Sequence, residues 1–264
     1  MTDIHAPIYM PHMETENKIS VVINTYNAAR YLQKALEAAK EFDEIVVCDM
    51  ESTDDTCEIA RRYGCKIVTF PKADHKSAEP ARTFAIQSAT HKWVLVVDAD
   101  EIITEELRKY LYKQIQKEDC PAGMYIARLN MFMGEFSKDW AHDYQLRFFI
   151  KEGTIWPPHV HTFPQVQGRV IRIPAKYKFL HLADETMQQW VNKMNQYTDN
   201  EVSKKASKNY GVFTLIWRPA WRFFRSYVLQ GGFMSGRRGF VSSYLSAVYQ
   251  VVAIAKIIEK RIRE

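Results

Sequence analysis

Cysteine is scarce in this sequence, and the few cysteines are not arranged for metal or redox chemistry. The 264 residues contain four, Cys48, Cys57, Cys65 and Cys120, and none forms a CxxC pair. This spacing excludes the common CxxC metal and redox motifs. Most of the four stand among apolar residues, so we expect reduced, structural thiols in a cytosolic protein.

Long apolar runs, internal repeats and low-complexity linkers are also missing. No apolar run approaches the roughly 20 residues that a membrane-spanning helix needs. Residues 1–17 lack the basic-then-apolar order of a secretory signal, and we expect a loose leader there. A hydrophobic content of 47% and an aromatic content of 13% are typical of a folded globular chain.

Basic residues are concentrated at the end of the chain. The formal net charge is +5, but from Lys204 onward twelve bases stand against two acids. This end therefore carries +10, and residues 1–203 carry −5. A basic end on a mildly acidic body indicates contact with a polyanionic surface, either nucleic acid or acidic lipid.

The first part of the chain alternates apolar strands with amphipathic helices. The predicted strands ISVVINTY, EIVVCD, KIVTF and WVLVVD begin at residues 19, 44, 66 and 93. Asn27, Ser52 and Thr104 are predicted to cap helices, and Gly64 to mark the end of one. Alternation up to about residue 117 predicts an α/β fold, with a mostly parallel sheet and helices on both faces.

After Pro121 strands follow one another directly, and a helical tail comes last. MYIARLNMF, QLRFFI and RVIRIP are predicted strands that extend the sheet and line one side of a cleft. A helix is predicted from Asp184, and Pro219 predicts a break in the tail near Arg218. The apolar stripe of the first tail helix comprises Met187, Trp190, Val191, Met194 and Tyr197.

Three acids close predicted strands. Asp49 ends EIVVCD, and Asp98 and Asp100 end WVLVVDAD. Ligands of an open parallel sheet bind beyond the carboxyl ends of its strands, and residues two apart in an extended segment point the same way. Such carboxylates suit Mg²⁺ or Mn²⁺ with a nucleotide diphosphate. The alternative is that Asp100 and Glu101 only begin a helix, where acids favour the dipole.

Longer segments stand in a recognisable order. VVINTYNAARYL, DEIVVCDMESTDDTCEIARRYG and WVLVVDADEIITEEL together closely resemble family 2 glycosyltransferases of the GT-A fold. DYQLRFF, VHTF, FLHLAD and RPAWRFFRSYVLQGGFMSGRRGF look like that family's lipopolysaccharide-core β-glucosyltransferase branch. The resemblance runs from Ile19 to about Lys260. It implies a catalytic domain over residues 18–183, divided into a nucleotide-sugar half (18–117) and an acceptor half (118–183), and a helical basic-aromatic region over 184–264.

The resemblance implies roles for matched positions. Asp49 would accept a hydrogen bond from the uracil N–H of a UDP-sugar, and Asp98 would lie near the ribose and the metal. The residues at a divalent metal, Mn²⁺ or Mg²⁺, would be Asp98, Asp100 and His181, with Asp100 as the direct ligand and His181 as a late one. The implied nucleotide-sugar-binding residues are Thr25, Tyr26, Asn27, Asp49, Arg82 and Asp98.

The acceptor half supplies the candidate base and the acceptor contacts. An inverting transferase needs a base for the acceptor hydroxyl, and Asp143 in WAHDYQLRFF matches that position, with His142 a weaker candidate. His161 in PPHVHTF competes with His181, since it could contact acceptor or metal. The aromatic residues that could stack on a sugar, or equally belong to the core, are Trp140 and Trp156.

Four departures from the family pattern occur. Asn24 stands where a proline is usual, Met50-Glu51 replaces smaller residues, and Thr83 stands where an asparagine is common. Thr162 stands where a glutamate often follows the histidine, and this departure leaves acceptor choice open.

Aromatic and basic side chains interleave in the tail. Within residues 217–227 these side chains are Trp217, Arg218, Trp221, Arg222, Phe223, Phe224, Arg225 and Tyr227. This mixture suits the surface of an acidic membrane. The alternatives are a helix that packs on the domain and a homodimer contact; nothing resembles a nucleic-acid-binding module.

We therefore expect an inverting, metal-dependent hexosyltransferase, peripheral on the cytoplasmic face of the inner membrane. The donor would be UDP-glucose or a near relative, and the acceptor a lipid-linked glycan such as lipopolysaccharide core. One alternative is a catalytically inactive glycan-binding or scaffold protein on the same fold. Another is an Asp-x-Asp phosphotransferase of the haloacid dehalogenase type, but that class carries the motif on its first strand with a threonine two places later, where this chain has Ile102.

Overall fold

The computed structural model describes residues 17–75, 77–139, 143–158, 162–184, 186–205 and 210–263. Its strands are β1 (Ile19–Thr25), β2 (Glu44–Asp49), β3 (Lys66–Thr69), β4 (Trp93–Asp98), β5 (Glu101–Ile103), β6 (Gly123–Phe132), β7 (Glu135–Phe136), β8 (Asp143–Ile150), β9 (Val170–Arg172) and β10 (Lys178–His181). Its helices are α1 (Ala29–Ala39), α2 (Thr56–Arg62), α3 (Glu79–Gln87), α4 (Glu105–Ile115), α5 (Met187–Lys205), α6 (Val212–Phe224) and α7 (Gly236–Arg263). A π-helical turn, Arg225–Leu229, and a 3-10 turn, Gly232–Ser235, connect the last two helices. All but the last residue of the predicted leader lies outside the described residues.

The strands form a mixed sheet in the order β3-β2-β1-β4-β8-β6-β10-β5. β1 pairs in parallel with β2 and with β4, and β2 pairs in parallel with β3. β8 pairs antiparallel with β4 and with β6, so the strands after Pro121 extend the sheet as predicted. Parallel pairing is thus concentrated in the half where helices separate the strands.

Helices cover both faces of the sheet, which confirms the predicted α/β class. Successive residues of a strand point to opposite faces, and β1 has no exposed face: Val21 and Ile23 join one buried cluster, and Val22 joins another. The first cluster includes Leu36 of α1, and the second includes Ala85 of α3. Burial on both sides explains why apolar residues predominate in this strand without alternating with polar ones.

The predicted caps of the first two helices are wrong. Ala28 stands at the N-cap of α1 and Asp55 at that of α2, and neither makes a side-chain capping hydrogen bond. Asn27 and Ser52 do not cap because their side chains bond to each other's loop, as described below.

Two other helix ends lie where the sequence placed them. Thr104 is the N-cap residue of α4, although its hydroxyl donates to the Lys178 carbonyl at 2.9 Å instead of to the helix. Gly64 follows α2 with φ +67°, a left-handed conformation that favours glycine.

Residues 129–142 and 183–264 form a second compact unit, separate from the first unit of residues 1–128 and 143–182. Within it, the carboxylate of Asp184 accepts hydrogen bonds from the Met133 and Gly134 N–H groups at 2.8 and 2.7 Å. Arg238 of α7 donates to the Met133 carbonyl at 2.9 Å and pairs with Glu135 at 3.1 Å. The β6–β7 turn thus packs with the C-terminal helices, a grouping that the sequence pattern did not predict.

The expected break near Arg218 is absent, because α6 runs through Pro219. Proline removes one helical hydrogen bond and crowds the preceding turn. Pro219 is the buried residue of α6, which packs along α7. Tertiary packing of this kind outweighs local helix preference.

The α5 helix begins close to the predicted position, but its apolar stripe is not a core face. Met187, Val191 and Tyr197 are 37%, 45% and 40% exposed. In the same helix Thr198 is completely buried, and its hydroxyl donates to the Met194 carbonyl at 2.8 Å. The apolar stripe therefore adds to the exposed apolar surface of the second unit.

Helix α7 and the turn before it are long and apolar enough to cross a membrane, by length and composition alone. The best window within Gly232–Arg263 has a mean hydropathy of 1.5, and 28% of it is buried in the described structure. Serine and tyrosine interrupt the apolar run here, yet residues 239–255 include no charged side chain. A core helix of a globular protein passes the same test, so this feature does not establish a span.

Candidate functional site

The first part of the site lies where β1 and β2 end side by side. Parallel register places Thr25 beside Asp49, and the Thr25 hydroxyl donates to Asp49 Oδ1 at 2.9 Å. The Ser52 N–H and hydroxyl donate to the same carboxylate at 2.8 and 2.6 Å. Asp49 is also buried, at 3% exposure. Because three hydrogen-bond donors hold its carboxylate, the orientation of Asp49 is fixed before a ligand binds.

The loop after β1 is tied to the loop after β2. Asn27, with φ +49°, donates its N–H to the Ser52 hydroxyl at 2.9 Å and accepts the Thr53 N–H on its side-chain oxygen at 2.8 Å. Tyr26 stands beside this junction with its side chain 48% exposed. The Lys72 ammonium lies 4.9 Å from the centre of the Tyr26 ring, a cation–π contact. An exposed ring next to a fixed carboxylate is suited to hold a flat heterocycle.

Asp98, at the end of β4, is held by two guanidinium groups. Arg147 donates Nη2 to Oδ2 at 2.5 Å and Nη1 to Oδ1 at 3.2 Å, and Arg82 donates Nη2 to Oδ1 at 2.9 Å. Burial alone would raise the pKa of Asp98, but the attraction of Arg147 and then of Arg82 outweighs it and holds the pKa well below its usual range. Asp98 therefore stays ionised, with its oxygens engaged by protein cations.

Glu101 completes the buried charges behind Asp98. Its side chain is fully buried, accepts the Asp98 N–H at 2.9 Å and lies 3.4 Å from Arg128 and 3.8 Å from Arg147. Burial raises the pKa of Glu101; Arg147 opposes this rise and the charge of Asp98 adds to it. Glu101 is thus a structural acid that orients the backbone at Asp98, and does not simply begin a helix.

Asp100 and His181 are brought together by the antiparallel pairing of β5 with β10. His181 is in register with Glu101, and the Leu182 N–H donates to the Asp100 carbonyl at 2.8 Å. His181 Nε2 then lies 3.3 Å from Asp100 Oδ2. A carboxylate oxygen beside an imidazole nitrogen is a donor set that suits Mn²⁺. Within the described ranges no group of three or more His, Cys, Asp or Glu residues forms a metal site, so a cation here would need nucleotide oxygens or water as further ligands.

Asp143 begins β8 and is held by a different arginine. Arg128 of β6 donates Nε and Nη2 to Asp143 Oδ2 at 3.0 and 2.6 Å. Gln145 donates to Oδ1 at 2.7 Å. Arg128 also lies 3.4 Å from Glu101, which links Asp143 to the charges at the β4 end.

The structure places Trp156 in the core. Its side chain is 6% exposed, and the Arg82 guanidinium lies 4.5 Å from the centre of its ring. Thr83 exchanges hydrogen bonds with the backbone of Trp156, 2.9 Å in each direction. Burial thus favours the alternative left open by the sequence, a core residue, over a sugar contact. The other predicted contacts, Trp140 and His161, and the weaker base candidate His142 lie outside the described residues.

The sequence pattern missed three basic residues of this site. Arg147 and Arg128 sit on β8 and β6 with partners from other strands, and Lys72 stacks on Tyr26 from the loop after β3. The signal that could have found Arg147 is its place in the apolar strand QLRFFI, since an arginine is fully buried only with a partner.

The fold and the site define a transferase of the GT-A class. A parallel α/β half carries the fixed Asp49 carboxylate where β1 and β2 end, and an Asp–His pair stands beyond β4. The sequence profile of glycosyl transferase family 2 matches residues 20–178, more than half of the chain. The chain belongs to glycosyl transferase family 2.

Individual proteins resemble most of the chain. "Lipopolysaccharide core biosynthesis glycosyltransferase LpsC" of Rhizobium meliloti is 25% identical over 251 residues, covering 92% of each chain. The mannosyltransferase PcManGT of Pyrobaculum calidifontis, solved with GDP-Man and Mn²⁺, has a TM-score of 0.55 at 14% identity and covers 91% of this chain and 87% of its own. TarS 1-349 of S. aureus, solved with UDP, has a TM-score of 0.51 at 15% identity and covers 93% and 91%. At identities of 14% and 15%, these two structures show a similar fold and nothing more.

Proposed function

We propose that this glycosyltransferase is an inverting, metal-dependent enzyme that moves a hexose, glucose from UDP-glucose, to a lipid-linked glycan such as lipopolysaccharide core. The observation that carries the proposal is the arrangement at the carboxyl edge of the sheet. There the fixed Asp49 carboxylate ends β2 and the exposed Tyr26 ring follows β1, while Asp100 and His181 lie 3.3 Å apart beyond β4.

The donor would bind by its base and its diphosphate. Asp49 would accept the uracil N–H, and Tyr26 would stack on the ring. Arg82 would face the diphosphate; its Nε and Nη1 are buried and hydrogen-bond to no described protein atom. Asp100 and His181 would hold Mn²⁺ or Mg²⁺, which supplies positive charge to a leaving diphosphate. TarS is solved with UDP and PcManGT with GDP-Man and Mn²⁺, which supports a nucleotide donor and a divalent metal.

Asp143 would be the base that takes the proton from the acceptor hydroxyl. Arg128 binds one oxygen of this carboxylate through two donors, so Oδ1 is the oxygen that an acceptor can reach after Gln145 moves aside. The two donors of Arg128 fix the direction of the Asp143 carboxylate. The name of LpsC supports lipopolysaccharide core as the acceptor class.

A panel of sugar nucleotides tests the donor and the metal together. Melting temperature is measured with UDP-glucose, UDP-galactose and GDP-mannose, with Mn²⁺ and with excess chelator. A ligand at 100 times its Kd stabilises the native state by about 2.7 kcal/mol, so UDP-glucose with Mn²⁺ should raise the melting temperature most. Asp100→Asn should remove the metal-dependent part, while Glu106→Gln, the same charge change on exposed α4, should not. Full transfer activity in chelator would contradict the metal role, and sugar-nucleotide binding without any turnover would favour an inactive scaffold.

The second unit would hold the enzyme on the cytoplasmic face of an anionic membrane. Its described helices expose large apolar side chains, among them Phe213 at 76%, Ile216 at 66% and Trp217 at 49%. Exposed apolar surface beside basic residues is typical of interfacial binding. The protein should sediment with anionic vesicles and dissociate as salt rises, because charges are screened over about 8 Å at physiological ionic strength. If anionic vesicles fail to bind it at low salt and it forms dimers instead, the surface is an oligomer contact.

A further inference from the structure

The helical unit contains a basic cavity that the transferase reaction does not use. A space of about 410 Å³ lies between α6 and α7, with Glu201 of α5 at its wall. Its apolar side is made by Ala253, Ile254 and Ile257 of α7, which are 2–3% exposed. This volume falls in the range of small-molecule sites.

Three arginines also line this cavity. Arg218 and Arg222 of α6 and Arg225, the first residue of the π-helical turn, follow one another at four and three residues. Like charges at this spacing repel and destabilise a helix. Glu201 is the acid among the lining residues, and its carboxylate already accepts the Tyr249 hydroxyl at 3.2 Å. An anion in the cavity would relieve the repulsion.

Aromatic rings stand among these arginines. Trp217 and Trp221 stack with their ring centres 5.9 Å apart and are 49% and 44% exposed. The Arg218 guanidinium lies 5.2 Å from the ring centre of Tyr210. One guanidinium group can bind two phosphate oxygens through two parallel N–H donors. Indole rings are suited to the boundary between lipid headgroups and acyl chains.

We propose that this cavity binds the phosphate of an anionic phospholipid, with the first acyl carbons against Ile254 and Ile257. The combination of three guanidinium groups with an apolar wall favours a lipid over nucleic acid, whose backbone has no apolar chain. The proposal deepens the proposed membrane contact of this unit, because it replaces general attraction to a charged surface with one site for one headgroup.

Calorimetric titration with monomeric short-chain lipids tests the site without a membrane. Dihexanoyl phosphatidylglycerol should bind at one saturable site, and zwitterionic dihexanoyl phosphatidylcholine at least tenfold more weakly. Glycerol 3-phosphate, which has the phosphate and no chains, should also bind at least tenfold more weakly. Equal binding of glycerol 3-phosphate, or displacement of the lipid by a short single-stranded oligonucleotide at lower concentration, would overturn the lipid assignment.

Matched variants separate the cavity from general charge. Arg218, Arg222 and Arg225 changed together to Gln should weaken phosphatidylglycerol binding at least tenfold, and Arg222→Gln alone should weaken it measurably. A control that changes Arg237, Arg261 and Arg263 to Gln removes the same charge from residues that do not line the cavity, and should change the affinity less than twofold. Equal losses in both triple variants would refute the cavity.

Two outcomes distinguish failure of the membrane-contact proposal from failure of the cavity proposal. If wild-type protein ignores anionic vesicles but binds monomeric phosphatidylglycerol, the cavity is supported and the membrane contact is refuted. If wild-type protein binds vesicles and both triple variants lose that binding equally, the membrane contact is supported and the cavity is refuted.

Discussion

Replacing Arg147 by methionine should destabilise the first unit strongly. Arg147 is 4% exposed and donates two hydrogen bonds to Asp98, at 2.5 and 3.2 Å. Methionine keeps most of the apolar stem but leaves Asp98 with Arg82 as its remaining guanidinium partner, and moves positive charge away from buried Glu101. Breaking a buried ion pair by removing one partner costs about 3–5 kcal/mol. Asp98 keeps one pairing and its side chain is 28% exposed, so a loss of about 3 kcal/mol is expected.

Urea unfolding followed by circular dichroism measures this loss, with the free energy of unfolding taken from linear extrapolation. The matched control is Arg108→Met, because Arg108 pairs at 2.5 Å with Glu41, which is 59% exposed. An exposed pair contributes about 0–1 kcal/mol. Arg147→Lys should fall between the two, since it keeps the charge and loses the paired geometry. If Arg147→Met costs no more than Arg108→Met, the buried cluster does not stabilise the fold and the reasoning is wrong.

Three further predictions concern catalysis, pH and packing. Asp143→Asn should lower kcat by about 10²–10⁴-fold with UDP affinity unchanged, because a base acts in the transition state; steady-state kinetics and UDP titration measure both. Glu44→Gln should flatten the loss of stability on acidification. Burial would raise the pKa of Glu44, but hydrogen bonds from Ser20 and Thr90 lower it below its usual value. Ionised Glu44 therefore stabilises the fold above the unfolded pKa of about 4.3. This stabilisation is lost as the pH falls from that value through the lower folded pKa. Gly239→Ala should lower the melting temperature, since an added Cβ would lie 1.7 Å from the Gly232 carbonyl oxygen and overpacking costs about 1–3 kcal/mol.

Each of these three has its own control. A collapse of UDP affinity in Asp143→Asn would assign Asp143 to the nucleotide site. Glu58→Gln, on the exposed side of α2, should leave the acid limb unchanged, and an equal effect there would contradict the role of Glu44. Gly211→Ala places its methyl where nothing lies within 4 Å; a similar melting temperature for the two glycine variants would show that the close approach carries no strain.

The first four strands were predictable because each has a short core rich in Val and Ile. This pattern also locates Asp49 and Asp98 at strand ends. The parallel direction of these strands then follows from the helices that connect them. In the register of β1 with β2, Thr25 lies beside Asp49. The local pattern therefore located this edge of the candidate site without knowledge of distant contacts.

The partners of those acids could not be predicted in the same way. Arg147 arrives from a strand 49 residues after Asp98, and no periodicity links the two. The same holds for Asn27, whose expected cap was replaced by bonds to the loop of Ser52. Pro219 lies inside α6 because tertiary packing outweighs the low helix preference of proline.

The β5–β10 pairing has a consequence for synthesis of the protein on the ribosome. Folding during synthesis generally proceeds from the N-terminal end. The Thr25–Asp49 hydrogen bond needs only chain made early, whereas His181 reaches Asp100 through β10, about eighty residues later. A nascent chain arrested before β10 can therefore form the Thr25–Asp49 contact while still lacking the imidazole beside Asp100. Under the proposed function, binding of the uracil base and metal-dependent turnover would then appear at different nascent-chain lengths.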